Sequence, residues 1–258
     1  MNSGLLDLDS IETWHSDFEE LLYDREIWPK VKTKLDSSEM QGIGFLSQVT
    51  CADDYLMDDL AQSLRQKGRE SLFKRYSYVI GYHGCRLRDP ESYQKFGILP
   101  SSTEHQISVA RSLFQEIPGF NKALVDIEAS YLNHNEGKVG LLFSAVRAKY
   151  NRSPYVRGSE LIRGLAYRLG VTAKARFAGT GKRTLIKCAI PVNWLDDHTT
   201  FSAIGAYSNH VLDHLIRIRR WPHDNFIGFD GGYMLTRAIP PESILEFIDM
   251  TNFSDDDP

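Results

Sequence analysis

The chain is poor in cysteine, with Cys51, Cys85 and Cys188 alone among 258 residues. Three scattered thiols exclude a disulfide framework and a thiolate zinc site, and Cys85 is read as a small buried structural thiol. It also lacks any apolar run near the roughly 20 residues that a membrane span needs. No basic patch followed by an apolar stretch opens the sequence, so no secretory leader is expected and a cytoplasmic protein is the default. An excess of positive charge is missing too: the net charge of −4 excludes chain-wide attraction to nucleic acid, while a local basic face stays open. No G-x-G-x-x-G follows a strand, so a dinucleotide, if bound, is not held in the Rossmann manner. Internal repeats, heptads and low-complexity blocks are absent.

What is there is a mixture of helical and strand periodicities without a βαβ rhythm, which favours an α+β fold over a doubly wound sheet. Residues 1–75 read as an N-terminal helical region. Asp9 and Glu12 form a candidate capping box, and Ile11, Trp14, Phe18, Leu21 and Leu22 recur at helical spacing. A second helix is expected from Asp53 through Leu64, with Gly42 to Leu46 a short strand or loop between them. The main domain is expected over 76–250, followed by an acidic tail over 251–258. Within the domain, strands are predicted at Tyr76 to His83, Gly137 to Ser144, Thr184 to Val192, Tyr233 to Ala238 and Ser243 to Ile248. Helices are predicted from Asp89 to Phe96, around Ile107 to Phe114, from Asn121 to Tyr131, from Ser159 to Gly170 and from Phe201 to Arg219.

The most informative stretch is Tyr78-Val79-Ile80-Gly81-Tyr82-His83-Gly84-Cys85-Arg86, continuing to Phe96-Gly97-Ile98. It reads as an apolar strand ending in His-Gly, then a short helix stopped by glycine. A histidine at a strand end beside a residue without a Cβ suits a ligand that presses against backbone. This motif resembles the first motif of the ADP-ribosyltransferases, in particular the poly(ADP-ribose) polymerase branch. The resemblance implies a split mixed β-sheet core and NAD as substrate. It also implies that His83 holds the adenosine-side ribose, that Gly84 offers backbone groups to the nicotinamide amide, and that Arg86 or Arg88 lies near the pyrophosphate, where a guanidinium fork suits phosphate oxygens.

A second family motif is similar to Gly137-Lys138-Val139-Gly140-Leu141-Leu142-Phe143-Ser144, followed by Tyr150, Tyr155 and Gly158-Ser159-Glu160. Phe143 matches the family phenylalanine, and Leu142 stands where a tyrosine is usual. Tyr150 or Tyr155 then supplies the ring that stacks on nicotinamide, with Tyr155 preferred, and Ser159 belongs to the same wall. The third motif, a glutamate before a late strand, is similar to Gly232-Tyr233-Met234-Leu235 with Ile239-Pro240-Pro241-Glu242, but Gly232 occupies the glutamate position. That carboxylate stabilises the developing oxocarbenium ion in the family. Glu160 is the expected substitute, with Asp230 second. The pairing of H-G-C-R-L with Y-V-R-G-S-E and I-P-P-E further resembles uncharacterised bacterial sequences, across roughly 76–248.

Other features carry bland readings. His210 and His214 lie one helical turn apart but lack the adjoining glutamate of a zinc-protease helix, so no metal site is expected. Arg217, Arg219, Arg220 and Trp221 read as a solvated helix end, Gly179-Thr180-Gly181-Lys182 as a hairpin loop, and Trp14 with Trp28 as anchors of the N-terminal helices. The resemblance therefore implies an NAD-dependent ADP-ribosyltransferase of bacterial toxin or phage-defence type. It would modify a macromolecule (RNA, DNA or protein) and, if toxic, would need a neutralising antitoxin protein. Two alternatives are an RNA 2′-phosphotransferase-like enzyme, whose closing stretch resembles Gly232 to Pro241, and an inactive NAD- or ADP-ribose-binding module of a larger complex.

Overall fold

The computed structural model describes residues 4–30, 32, 62–63, 66–145, 148, 154–200, 203–204 and 232–251. The chain divides into two compact units, 1–80 with 191–231 and 81–190 with 232–258. The division falls inside a strand at Ile80/Gly81, five residues beyond the expected boundary, and the first unit takes back a second segment after Pro191.

The first unit is not purely helical. Strand β1 (Leu5–Leu6) pairs in parallel with the opening residues of β2 (Tyr78–Leu87), Leu5 with Tyr78 and Leu6 with Val79. Helix α1 (His15–Leu22) buries Phe18 and Leu22 with Trp14, Leu6, Leu8 and Ile27. Its N-cap is Trp14, without a side-chain cap bond, and not Asp9. The Asp7 carboxylate accepts from Asp9 N at 3.1 Å and Ser10 Oγ at 3.3 Å. That local turn draws the backbone into a 3-10 turn at Ile11–Thr13 before the helix begins.

The second unit carries the sheet order β5-β3-β2-β4-β6, with β3 (Val139–Leu142), β4 (Lys182–Pro191), β5 (Gly232–Leu235) and β6 (Ile244–Asp249). Counted with β1, six strands join one sheet in an α+β fold. The pairs β2/β3, β3/β5 and β4/β6 are antiparallel, with Tyr82 opposite Leu142 and Leu142 opposite Gly232. Helices α2 (Pro90–Phe96), α3 (Thr103–Phe114), α4 (Phe120–Asn135), α5 (Glu160–Leu169) and α6 (Val171–Ala178) lie between strands in sequence. Phe114, Leu124, Ile127, Leu165, Ala166 and Phe177 form a shared core of α3 to α6.

Strand β2 runs four residues past His83, so the His-Gly pair lies within the strand and not at its end. Beyond Tyr82 the strand stays extended because β4 adjoins it on its other edge. Helix α2 starts as expected, with the Asp89 carboxylate accepting from Glu91 N at 2.9 Å and Pro90 in the first turn. Gly97 ends it at φ 72°, and a Cβ there would overlap the Ile239 carbonyl oxygen. The bonds Ile98 N to Ile239 O (2.8 Å) and Ile239 N to Ile98 O (2.9 Å) bring two sequence motifs together. Helix α6 was not anticipated, and Gly179-Thr180-Gly181 joins it to β4, so this glycine-rich segment is a helix-to-strand turn and not a hairpin. The expected helices around Asp53 to Leu64 and Phe201 to Arg219, the Gly42 to Leu46 segment, Asp230 and the acidic tail from Asn252 lie outside, or almost wholly outside, the described residues.

Candidate functional site

A cavity of about 1000 Å³ opens in the second unit, bordered by β2, α2, the starts of α3 and α5, and the turn after α6. Its volume is at the upper end of the usual range for small-molecule sites. His83, Gly84, Arg86, Arg88, Ser159 and Glu160 all border it. These six residues come from sequence segments more than 70 residues apart.

His83 Nδ1 lies 2.9 Å from Gly140 O. A carbonyl only accepts, so Nδ1 carries the proton, and in the neutral ring Nε2 keeps its lone pair. Burial pushes the imidazole below its ordinary value of 6.5, and the bond to Gly140 opposes that shift only in part. The ring is thus an acceptor suited to a hydroxyl, not a cation suited to phosphate. Gly84 follows without a side chain and also borders the cavity.

Arg86 is heavily engaged. Its Nε donates to Arg157 O at 3.2 Å, and its Nη1 donates to Ala178 O at 2.9 Å and Gly181 O at 3.2 Å. The guanidinium carbon stands 4.7 Å from the centre of the Phe177 ring. Arg88 is more exposed and donates Nε to Thr180 O at 2.7 Å.

Ser159 is the N-cap of α5, accepting from Ile162 N at 3.4 Å, and its hydroxyl donates to Gln106 Oε1 at 2.8 Å. Gln106 in turn donates Nε2 to Ser101 Oγ. This chain ties the first turn of α3 to that of α5, so both helix starts border the cavity together. Glu160 follows in the first helical turn with its side chain exposed. At the start of α3 the Glu136 carboxylate accepts from Thr103 N at 2.7 Å and from Thr103 Oγ1, and these bonds hold it below its ordinary range.

Phe143 is brought elsewhere. It is buried with its ring centre 4.7 Å from that of Tyr233, and it does not border the cavity. Tyr155 belongs to the turn Pro154–Arg157 by its backbone, but its side chain, like the whole of Tyr150, lies outside the described residues. Gly232 stands in β5, where an added Cβ would lie 2.7 Å from Leu141 O. A side chain at that position requires the β3–β5 pair to shift, which gives a packing reason for the missing glutamate.

Cys85 borders the cavity, yet burial pushes its thiol up to about 11 against a bond from Tyr93 that lowers it. Such a thiol stays protonated at neutral pH and packs as a small apolar group. Among the described residues no cluster of three or more metal-ligating side chains occurs, and no helix is long and apolar enough to cross a membrane. Sequence reasoning missed Gln106, Tyr93, Phe177 and Met234 as cavity residues. For Gln106 a signal existed: Ser101-Ser102-Thr103 before the apolar period of Ile107 and Ala110 marks a helix start, and the first turn of that helix contains it. Compared with known proteins, the chain matches no family model, no curated protein and no solved structure.

Proposed function

We propose that the cavity binds NAD and that the protein is an NAD-dependent ADP-ribosyltransferase, its sheet a variant of that family's split core. The observation that carries this reading is the convergence of His83, Gly84, Arg88, Ser159 and Glu160 on one cavity from separate motifs. A neutral His83 accepts from a ribose hydroxyl, Gly84 admits the ligand to the strand backbone, and Arg88 meets the pyrophosphate. In the reaction the bond between nicotinamide nitrogen and ribose C1′ breaks, and its electron pair leaves with neutral nicotinamide. Positive charge grows on C1′ until the acceptor nucleophile bonds there and releases its proton to solvent. The Glu160 carboxylate, at the start of α5, stabilises that charge, and no strong acid is needed because nicotinamide leaves well. The acceptor is a macromolecule, RNA, DNA or protein, and the role is that of a bacterial toxin or phage-defence effector held in check by a neutralising protein.

A second reading, an NAD- or ADP-ribose-binding module without transfer activity, is favoured by the close approach of Leu141 O to Gly232, which leaves no space for the family carboxylate. One experiment separates the two. NAD labelled in its adenylate half is incubated with the full chain and with cell protein or RNA, alongside His83→Ala and Glu160→Ala. Transfer lost in both variants supports the transferase. Binding without transfer in any sample supports the module, and absence of NAD binding by the unmodified chain rejects both.

A further inference from the structure

Arg86, in the last pleat of β2, and Arg88, one residue beyond its end, stand two residues apart, yet their guanidinium groups are committed differently. Arginine offers five N–H donors and two edges that can grip a phosphate bidentately, Nε with Nη2 and Nη1 with Nη2. Arg86 spends Nε on Arg157 O and both protons of Nη1 on Ala178 O and Gly181 O. Each bidentate edge has therefore lost one nitrogen, and only Nη2 remains. Arg88 spends Nε alone, on Thr180 O, and has no other hydrogen bond or ion pair among the described residues. Its Nη1–Nη2 edge is intact, and it borders the same cavity.

The three carbonyls that Arg86 holds are those of the turn before α5 and of the turn after α6. Gly158, at φ 87°, sits against the Arg86 stem so closely that an added Cβ would lie 3.2 Å from its Cγ. On its other side the turn is held by the bond from Ser159 to Gln106. The Arg157–Glu160 turn is thus fixed between Arg86 and Gln106, and this turn delivers Ser159 and Glu160 to the cavity.

We propose that Arg86 is a positioning residue, acting through the Arg157–Glu160 turn to fix Ser159 and Glu160, and that Arg88 is the arginine that grips an anionic ligand. This rests on the reading of the cavity as an NAD site. Lysine keeps a point charge but loses the bidentate grip, so a phosphate-binding role for Arg86 predicts weaker NAD binding with an undisturbed turn in Arg86→Lys, whereas a three-carbonyl clamp predicts a loosened turn.

The test uses the full chain and the variants Arg86→Lys, Arg88→Ala and Gly158→Ala. Without ligand, amide hydrogen exchange is read at Ile162 and Arg163, whose N–H groups bond to Ser159, and at Gln106 as a control. Arg86→Lys is expected to speed exchange at Ile162 and Arg163 by roughly tenfold or more and leave Gln106 unchanged, and Arg88→Ala to change neither. With NAD, Arg86→Lys is expected to lower kcat roughly tenfold with KM within about threefold, and Arg88→Ala to raise KM roughly tenfold with little change in kcat. Gly158→Ala strains the same turn without altering any charge and is expected to follow Arg86→Lys, which keeps the question answerable if that variant does not fold. Unchanged exchange at Ile162 and Arg163, or a raised KM with normal kcat in Arg86→Lys, overturns the positioning role. Failure of the unmodified chain to bind NAD rejects the site reading and the Arg88 assignment with it, and the exchange measurement then decides Arg86 alone.

Discussion

The two sides of the β3–β5 pair differ in how they use space. On one side Gly140, Leu142 and Met234 border a cavity of about 1000 Å³. On the other, Leu141 and Tyr233 are buried against Gly81, where an added Cβ would overlap Tyr233 Oη and lie 3.1 Å from a Leu141 methyl. Period-2 alternation sends Leu141 and Leu142, and likewise Tyr233 and Met234, to these two environments, while Val139 at the start of β3 borders the cavity as well. The lesson concerns the motifs. Phe143, Tyr233 and Ile239 belong to close packing, and Gly97, though it borders the cavity, is pressed against the Ile239 backbone, whereas His83, Gly84, Arg88, Ser159 and Glu160 border the cavity. Residues that stand together in sequence motifs therefore divide into two classes, and substitutions should divide with them.

The largest effect is expected from Gly97→Ala. Its left-handed backbone and the overlap with the Ile239 carbonyl predict a loss of about 4 kcal/mol in denaturant unfolding. A loss below about 1 kcal/mol would move Gly97 out of the packed class. Next is Gly81→Ala, expected to cost about 2 kcal/mol by overpacking. Tyr233 Oη is buried and has no hydrogen-bond partner among the described residues. Tyr233→Phe alone should thus stabilise the fold by about 1 kcal/mol, and in that background part of the Gly81→Ala cost should disappear. Additive effects in the double variant would show that the hydroxyl and the glycine are not in contact.

The smallest stability effect is expected on the cavity side, from His83. Its folded-state pKa lies below the unfolded value of about 6.5, so between the two the unfolded chain binds more protons. The associated stability is complete above pH 6.5 and is lost as pH falls through the folded value. An NMR titration of the His83 ring checks this directly, and ADP-ribose affinity should stay level as pH falls from 8 to 6.5. A ring titrating above 6.5 would contradict both the burial and the acceptor role assigned to Nε2.

Much of the second unit was legible in sequence because its signals are local. Asp89-Pro90 and Gly97 bracket α2, Ser159 and Gly170 bracket α5, and β4 ends at Pro191, as the cap and breaker residues indicate. The length of β2 was not legible, since His83 to Leu87 carries no continuous apolar pattern and is held extended by its neighbour in the sheet. Helix α6 was missed because Gly170 and the Gly179-Thr180-Gly181 turn leave only eight residues between breakers. The role of Arg86 was equally hidden: the sequence offers an arginine beside a glycine-rich motif, and the carbonyls that engage it come from 71 to 95 residues away.

By itself the sequence determined the α+β character and the limits of α2 and α5 in the second unit, because caps, breakers and periodicity act over a few residues. The tertiary structure alone decided which of those residues meet at a cavity, that Phe143 packs on Tyr233 instead, that no side chain fits at Gly232 without displacing its partner strand, and that the Arg86 donors are already occupied. Such outcomes depend on backbone carbonyls and excluded volume from distant segments, and neither leaves a mark on the local pattern of residues.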